Sequence, residues 1–230
     1  MAGRRFAGFY ERRVFPWLCD RLTSAPAIER LRGDALMAAR GRTLDIGFGA
    51  GANLPHYPDA VTDICAVDPN LGMHARARRR ALSFRRPVRL LLAEGEHLPF
   101  ADGVFDTAVS TLTLCTVRRP HLVLEELRRV LVPDGQLLVL EHGLAADASV
   151  ARWQHRLNGV QNIVACGCHL NRPVRELVEQ HGFSFETVRQ GFALGVPRPL
   201  GWFTLGTATK TRAMNPSNRA TSSASQRLSP

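Results

Sequence analysis

The stretch DIGFGAGANLPHYP, residues 45–58, places Gly47, Gly49 and Gly51 on alternate positions directly after a short apolar run that ends in Asp45. A glycine-rich turn after a strand lets backbone approach a ligand where any side chain would block it. The surrounding pattern supplies the strand. TLDIG, DICAVD, VRLLLAE, FDTAVSTLTL and QLLVLEH read as strands without polar alternation, and MHARARRRALSF and PHLVLEELRRVL between them read as helices. A further helix is expected from about Ala52, and the Pro133–Gly135 turn is expected to separate the preceding helix from its strand. Continuously apolar strands alternating with helices belong to a doubly wound α/β fold, a mostly parallel sheet covered on both faces. After it, RWQHRLNGVQNIV and RPVRELVEQHG read as helices, and FSFETVRQGF and GWFTLGTATK as an antiparallel hairpin at the sheet edge, giving a seven-stranded sheet.

Three parts are expected: an N-terminal helical cap over 1–40, one ligand-binding domain over 41–212, and a disordered polar tail over 213–230. In the cap, Phe6, Tyr10, Val14, Trp17, Leu18 and Leu22 recur at helical spacing with Arg12 and Arg13 between them, interrupted at Pro16. That segment suits a lid over the pocket, core packing, or peripheral contact with a membrane. A second helix is expected from Pro26 to near Gly41.

With 45% hydrophobic and 22% charged residues, the 230-residue chain has an ordinary globular composition. It contains no apolar run near the ~18 residues of a membrane span, and no apolar secretory leader is recognisable, so a cytoplasmic protein is expected. The net charge of +10 is nearly all arginine, Lys210 being the only lysine. No nucleic-acid motif accompanies it, and Arg76, Arg78, Arg79, Arg80, Arg85 and Arg86 read as a solvated helix face, so no nucleic-acid partner is expected. Five cysteines without a regular framework fit reduced thiols. Cys166, Cys168 and His169 have C-x-C-H spacing but no second ligand pair, and no metal is expected there.

The carboxylates discriminate between cofactors. Gly47, Gly49 and Ala52 also satisfy the dinucleotide fingerprint, but a pyrophosphate favours surroundings free of acids. Here Asp45 precedes the first glycine, Asp68 ends the second strand, and Glu94 and Glu96 end the third. Four acids suit a ligand with a ribose diol, an ammonium and a sulfonium, which together describe S-adenosyl-L-methionine, and Asp68 stands where an acid accepts from ribose hydroxyls. A nicotinamide-dependent oxidoreductase and a non-catalytic cofactor-binding module are the rival readings.

DIGFGAG, AVDPN, AEGEHLPFADGVFD and TLTLC resemble the class I S-adenosylmethionine-dependent methyltransferases over roughly residues 40 to 142. The resemblance implies that Gly47, Gly49, Gly51 and Asn53 form the loop at the methionine moiety. It implies further that Asp68 holds the ribose, that Glu94 and Gly95 flank the adenine, and that Thr111 lines the methyl-donor side, with Pro69 and Glu96 also expected at the cofactor. Glu94 stands where aspartate is commoner in that family. GANLPHYP, STLTLCTV, LEHG, GCHLNRP and GTATK extend the resemblance, over about residues 42 to 210, toward thiol S-methyltransferases and bacterial phospholipid N-methyltransferase-like proteins.

Methyl transfer from a sulfonium demands orientation and a dry site more than catalytic side chains. A small, apolar acceptor is expected, a thiol or a lipid-like amine. His142, after the last parallel strand, is the candidate base or orienting group. Cys115 has no adjacent base that would make it a nucleophile. His169, Asn171 and Arg172 resemble a substrate-side cover, with Asn171 expected to cap a helix.

Overall fold

The computed structural model describes residues 15–211; of the remainder, the expected aromatic face at Phe6 and Tyr10 with Arg12 and Arg13, and the polar tail, lie outside the described residues. Helices α1 (Phe15–Thr23) and α2 (Pro26–Leu36) precede β1 (Gly41–Ile46), β2 (Val61–Val67), α3 (Leu71–Leu82), β3 (Val88–Leu91), β4 (Phe105–Thr111), α4 (Pro120–Val130) and β5 (Leu131–His142). Helices α5 (Ala148–Val164) and α6 (Val174–Gln180) and strands β6 (Phe183–Phe192) and β7 (Trp202–Lys210) follow.

All seven strands form one sheet in the order β3-β2-β1-β4-β5-β7-β6. The pairs β1–β2, β2–β3, β1–β4 and β4–β5 are parallel, while β7 runs antiparallel to both β5 and β6. The sheet is the doubly wound one expected, closed by the antiparallel hairpin. Its order reverses between β1 and β4, which opens a crevice at the carboxyl ends of the central strands.

Alternation along each strand divides the core in two. Leu44, Ile46, Ala108, Leu137 and Val139 face α4, whose Val123, Leu124, Leu127 and Val130 form a helical stripe buried against them. Ala66, Val109 and Leu138 face the opposite side, where Leu36, Leu54, Tyr57 and Ala77 cover them. Helix α5 buries only Val150 and Gln154 and leaves Trp153, Val160, Ile163 and Val164 exposed.

Several local features differ from expectation, among them strands β3 and β4, which end at Leu91 and Thr111, short of the expected Glu94 and Leu114. Helix α2 ends at Leu36, short of Gly41. The segment from Ala52 forms only a single 3₁₀ turn, Leu54–His56, because Pro55 and Pro58 remove backbone donors and Asn53 uses its side chain elsewhere. Pro133–Gly135 does not precede the strand but lies inside β5, where Leu131 pairs with Phe105 and Gln136 with Thr107, so the intervening residues bulge out of the ladder. Asn171 does not cap α6, whose first flanking residue is Pro173; its Nδ2 meets His155 Nδ1 at 3.0 Å. Of the six arginines around α3, Arg78, Arg79, Arg80 and Arg85 are exposed as expected, and Arg76 and Arg86 are partly covered.

Strand β7 tolerates almost nothing at Gly206, which sits between Val139 of β5 and Val188 of β6. A Cβ there would overlap the Thr187 carbonyl oxygen and crowd the Phe185 ring. Gly206→Ala is therefore expected to cost about 1–3 kcal/mol, read as a lower urea midpoint with unchanged m-value; wild-type stability in this variant would show that the β6–β7 pairing differs from the one described.

Candidate functional site

The crevice at the sheet's carboxyl edge is a cavity of about 360 Å³, within the range of small-molecule sites. Its floor is the loop after β1. Gly47 and Gly49 have φ of +62° and +57°, a region glycine enters freely. At Gly47 a Cβ would overlap the Thr113 hydroxyl, so the loop packs directly against the chain after β4. At Gly49 the nearest atom to a Cβ is 3.8 Å away and the residue lines the cavity: the space a side chain would fill is ligand space. Gly51 lies behind, against the Phe48 ring, and is not part of the lining.

Asp68 fastens this loop to the tip of β2. Its Oδ2 accepts from Gly49 N at 2.8 Å and its Oδ1 from Asn70 N at 2.7 Å, while Asn70 caps α3 by accepting from Gly72 N. Burial raises its pKa against the lowering effect of these two donors. Pro69, Asn70, Glu94, Glu96 and Thr111 also line the cavity, whereas Gly95 packs toward Val123 and does not. Glu96 is buried and accepts from Arg119 N at 3.4 Å; Glu94 is half-exposed, 3.8 Å from Arg118. Asp68, Glu94 and Glu96 thus share one crevice.

Asp45 does not join them. It is 0% exposed beneath the loop, where its Oδ2 accepts from Tyr57 Oη at 2.7 Å and Asn53 Nδ2 at 2.9 Å. Asn53, also expected to touch the ligand, is likewise buried. Its Oδ1 accepts from Arg32 Nη1, and its Nδ2 also reaches Thr111 Oγ1 at 3.3 Å. Burial pushes the Asp45 carboxyl up to about 6, offset in part by these hydrogen bonds and by Arg32.

Arg32 carries the residue that sequence reading missed. It is 4% exposed, lines the cavity, and donates through Nη2 to Thr23 O at 3.2 Å. Its signal was a charge inside an apolar stripe, since Ile28, Ala35 and Leu36 are buried on the same helix. Helix α1 adds Cys19, Asp20 and Thr23 to the wall. Burial raises the Cys19 thiol to about 11, so it is no nucleophile at neutral pH.

Above the floor, the chain turns sharply at Leu112, φ +54°, and its next amides converge on Glu141. That carboxylate, 0% exposed, accepts from Ser110 Oγ at 2.7 Å, Thr113 N at 2.8 Å, Leu114 N at 2.9 Å and Cys115 N at 3.2 Å. His142, its neighbour, lies outside the cavity lining. Its Nε2 is 2.8 Å from Cys168 Sγ, because the strand sends consecutive side chains to opposite faces.

Residues 44–139 match the family model described as a methyltransferase domain. The chain is 35% identical to thiol S-methyltransferase TMT1B of Homo sapiens over 210 residues, 84% of this chain and 82% of that protein. The chain belongs to the class I S-adenosylmethionine-dependent methyltransferases. A second relative of this methyltransferase, TMT1B of Rattus norvegicus, is 34% identical over 71% of the chain, which spans 66% of that protein. The solved structure of a Burkholderia thailandensis 1,6-didemethyltoxoflavin-N1-methyltransferase with bound S-adenosylhomocysteine shares the fold, with a TM-score of 0.62 and 19% identity over 91% of this chain and 87% of that one. No helix among the described residues of the methyltransferase is long and apolar enough to cross a membrane.

Asp45 gives the methyltransferase a pH signature. An acid whose folded pKa of about 6 exceeds its ordinary 3.8 binds its proton more tightly when folded, so its contribution to stability is largest below 3.8 and declines as pH rises through about 6. Asp45→Asn is expected to flatten the pH dependence of the urea midpoint across that window; an unchanged slope would place Asp45 in contact with water.

Proposed function

We propose that this chain binds S-adenosylmethionine in the crevice and transfers its methyl group to a small, apolar thiol. The observation that carries the reading is the open backbone at Gly49 beside the carboxylates of Asp68, Glu94 and Glu96 in a single cavity. Donors on the ligand meet acceptors on the wall, and a nucleoside approaches bare backbone. Arg32, the buried cation in that wall, suits the ligand's one carboxylate. A pyrophosphate would instead face three acids, which disfavours a nicotinamide cofactor.

S-adenosylmethionine supplies the electrophilic methyl carbon; the chain's work is to hold the reactants and exclude water. Asp68 would take the ribose hydroxyls while its two backbone bonds keep the loop in place, and Glu94 and Glu96 would flank the base. Thr111, Thr113 and Leu112 would form the wall nearest the acceptor. A protonated amine must lose a proton before it attacks, yet no histidine is among the described residues that line the cavity. A thiol has an ordinary pKa near about 8.5 and ionises without such help. The thiol reading is also what the names of the human and rat relatives suggest.

A lipid-like amine is the second reading, favoured by the outer face of α5. Trp153, Val160, Ile163 and Val164 are exposed there, with Arg152 and Arg156 beside them, a combination suited to an anionic lipid surface. An acceptor drawn from a bilayer could use it.

Isothermal titration is expected to show S-adenosylhomocysteine binding and NADH silent, and the reverse would overturn the cofactor reading. In the same assay Asp68→Ala is expected to lose about 1.5–3 kcal/mol of affinity; unchanged affinity would remove Asp68 from the ribose. With labelled methyl donor, small alkyl and aryl thiols are expected to be methylated at rates that rise with pH through the thiol's own pKa. Turnover confined to phosphatidylethanolamine vesicles would favour the amine reading.

A further inference from the structure

Cys166, Cys168 and His169 are neighbours in sequence but have different surroundings. Cys166 lines the cavity. His169 is held by Asn158 Nδ2 at 3.3 Å and Asn162 Nδ2 at 3.1 Å. Cys168 meets partners of the same chemistry that come from elsewhere: Cys115 from the loop after β4 and His142 from the end of β5. One ligand-type atom from each of the three lies within 4.8 Å of the others. His142 Nε2 and Cys168 Sγ are already 2.8 Å apart.

We propose that Cys115, His142 and Cys168 form a Zn²⁺ site, with three protein ligands and a fourth position for water. Two sulfurs and an imidazole nitrogen make a donor set suited to zinc and unsuited to magnesium or calcium. Tetrahedral zinc, with bonds of about 2.3 Å to sulfur and about 2.0 Å to nitrogen, holds its donors about 3.5–3.8 Å apart. The 4.8 Å limit on the cluster brackets that spacing, and the 2.8 Å between His142 Nε2 and Cys168 Sγ would have to open by under about 1 Å to admit the ion. The two thiols otherwise have poor company: thiols are weak hydrogen-bond donors and acceptors, and among the described residues Cys115 Sγ has only Thr116 Oγ1, at 3.5 Å, besides the cluster.

The charge balance favours the ion. On binding, the two thiols release their protons to solvent, and two thiolates neutralise Zn²⁺ beside a neutral imidazole. The nearby charges, Glu141 and Arg172, have opposite signs. The backbone around the site is already assembled. His169 N donates to Cys115 O at 2.8 Å, Arg172 Nη1 donates to Leu114 O, and Glu141 takes the Cys115 amide at 3.2 Å. Zinc would therefore cross-link the strand end, the loop after β4 and the 165–172 segment, which between them supply Thr113, Thr116 and Cys166 to the cavity wall. The expectation of no metal rested on spacing along the chain, and these ligands converge only in three dimensions.

Titration of the reduced full-length protein with Co²⁺ under anaerobic conditions tests this. One equivalent is expected to produce thiolate-to-cobalt charge-transfer absorption and the intense visible bands of tetrahedral cobalt, both abolished by excess Zn²⁺. Cys115→Ser and Cys168→Ser should remove the charge-transfer signal or weaken Zn²⁺ binding by about 100-fold or more, whereas Cys65→Ser and Cys166→Ser should leave both unchanged. Absence of the bands from the wild type, their survival in both ligand variants, or their loss in Cys166→Ser would overturn the site. Should the ligand variants not fold, the wild type decides: Zn²⁺ is expected to raise its thermal midpoint and a chelator to reverse the gain, and an indifferent midpoint refutes the proposal. A Cys115–Cys168 disulfide in the freshly purified protein, seen by intact mass before and after reduction, would refute it as well.

Discussion

The arrangement of the crevice depends on where one buried carboxylate finds its hydrogen bonds. Glu141 is out of water entirely, and an ionised carboxylate there is tolerable only with several donors. Three consecutive amides and the Ser110 hydroxyl meet that need, and in doing so they force the chain after β4 through the turn at Leu112. The same turn brings the Thr113 hydroxyl to Ile46 O at 3.1 Å, against the space that only a glycine at 47 leaves free. The floor and wall of the cavity are thereby joined through Thr113, whose backbone is held by a carboxylate that is not among the residues lining the cavity.

Below the floor a second polar layer does comparable work. Asp45, Tyr57, Asn53 and Arg32 link β1, the 3₁₀ turn, β4 and the two N-terminal helices. Such a network stabilises to the extent that its members are satisfied, and among the described residues Arg32 Nε and Asp45 Oδ1 have no hydrogen-bond partner. Arg32 is the member that both completes the layer and reaches the cavity. The helical cap is in this sense part of the pocket, since α1 and α2 provide Cys19, Asp20, Thr23 and Arg32 to its wall.

Much of this was legible in the sequence, for identifiable reasons. Strand tips in a parallel sheet are ordered by topology, so acids that end the second and third strands had to fall near a glycine loop that ends the first, and Asp68, Glu94 and Glu96 do. Asp45 was misjudged because it precedes the strand tip by one residue, and in a strand one residue is the difference between two faces. Asn53 and the expected helix after Ala52 failed together: the side chain goes to the buried layer, and the prolines leave room for one 3₁₀ turn. Arg32 left one signal, a charge within the apolar stripe of its helix, whereas Glu141 left none, because a charge at a strand end is ordinarily solvated and only the packed structure shows it buried. His142 was located correctly at the end of β5 but faces Cys168 rather than the cavity. The bulge over Pro133–Gly135 lengthens a strand across a motif that normally terminates one.

The position of β7 has a consequence for how the molecule is made. It is the last strand among the described residues, yet it occupies an interior slot of the sheet between β5 and β6. During synthesis β5, with Glu141 and His142 at its end, has no neighbour on one side until Lys210 has emerged. Nascent chains therefore present an unpaired and strongly apolar strand from the time His142 has emerged until Lys210 follows, and premature termination between those points leaves an open edge prone to association with other strands.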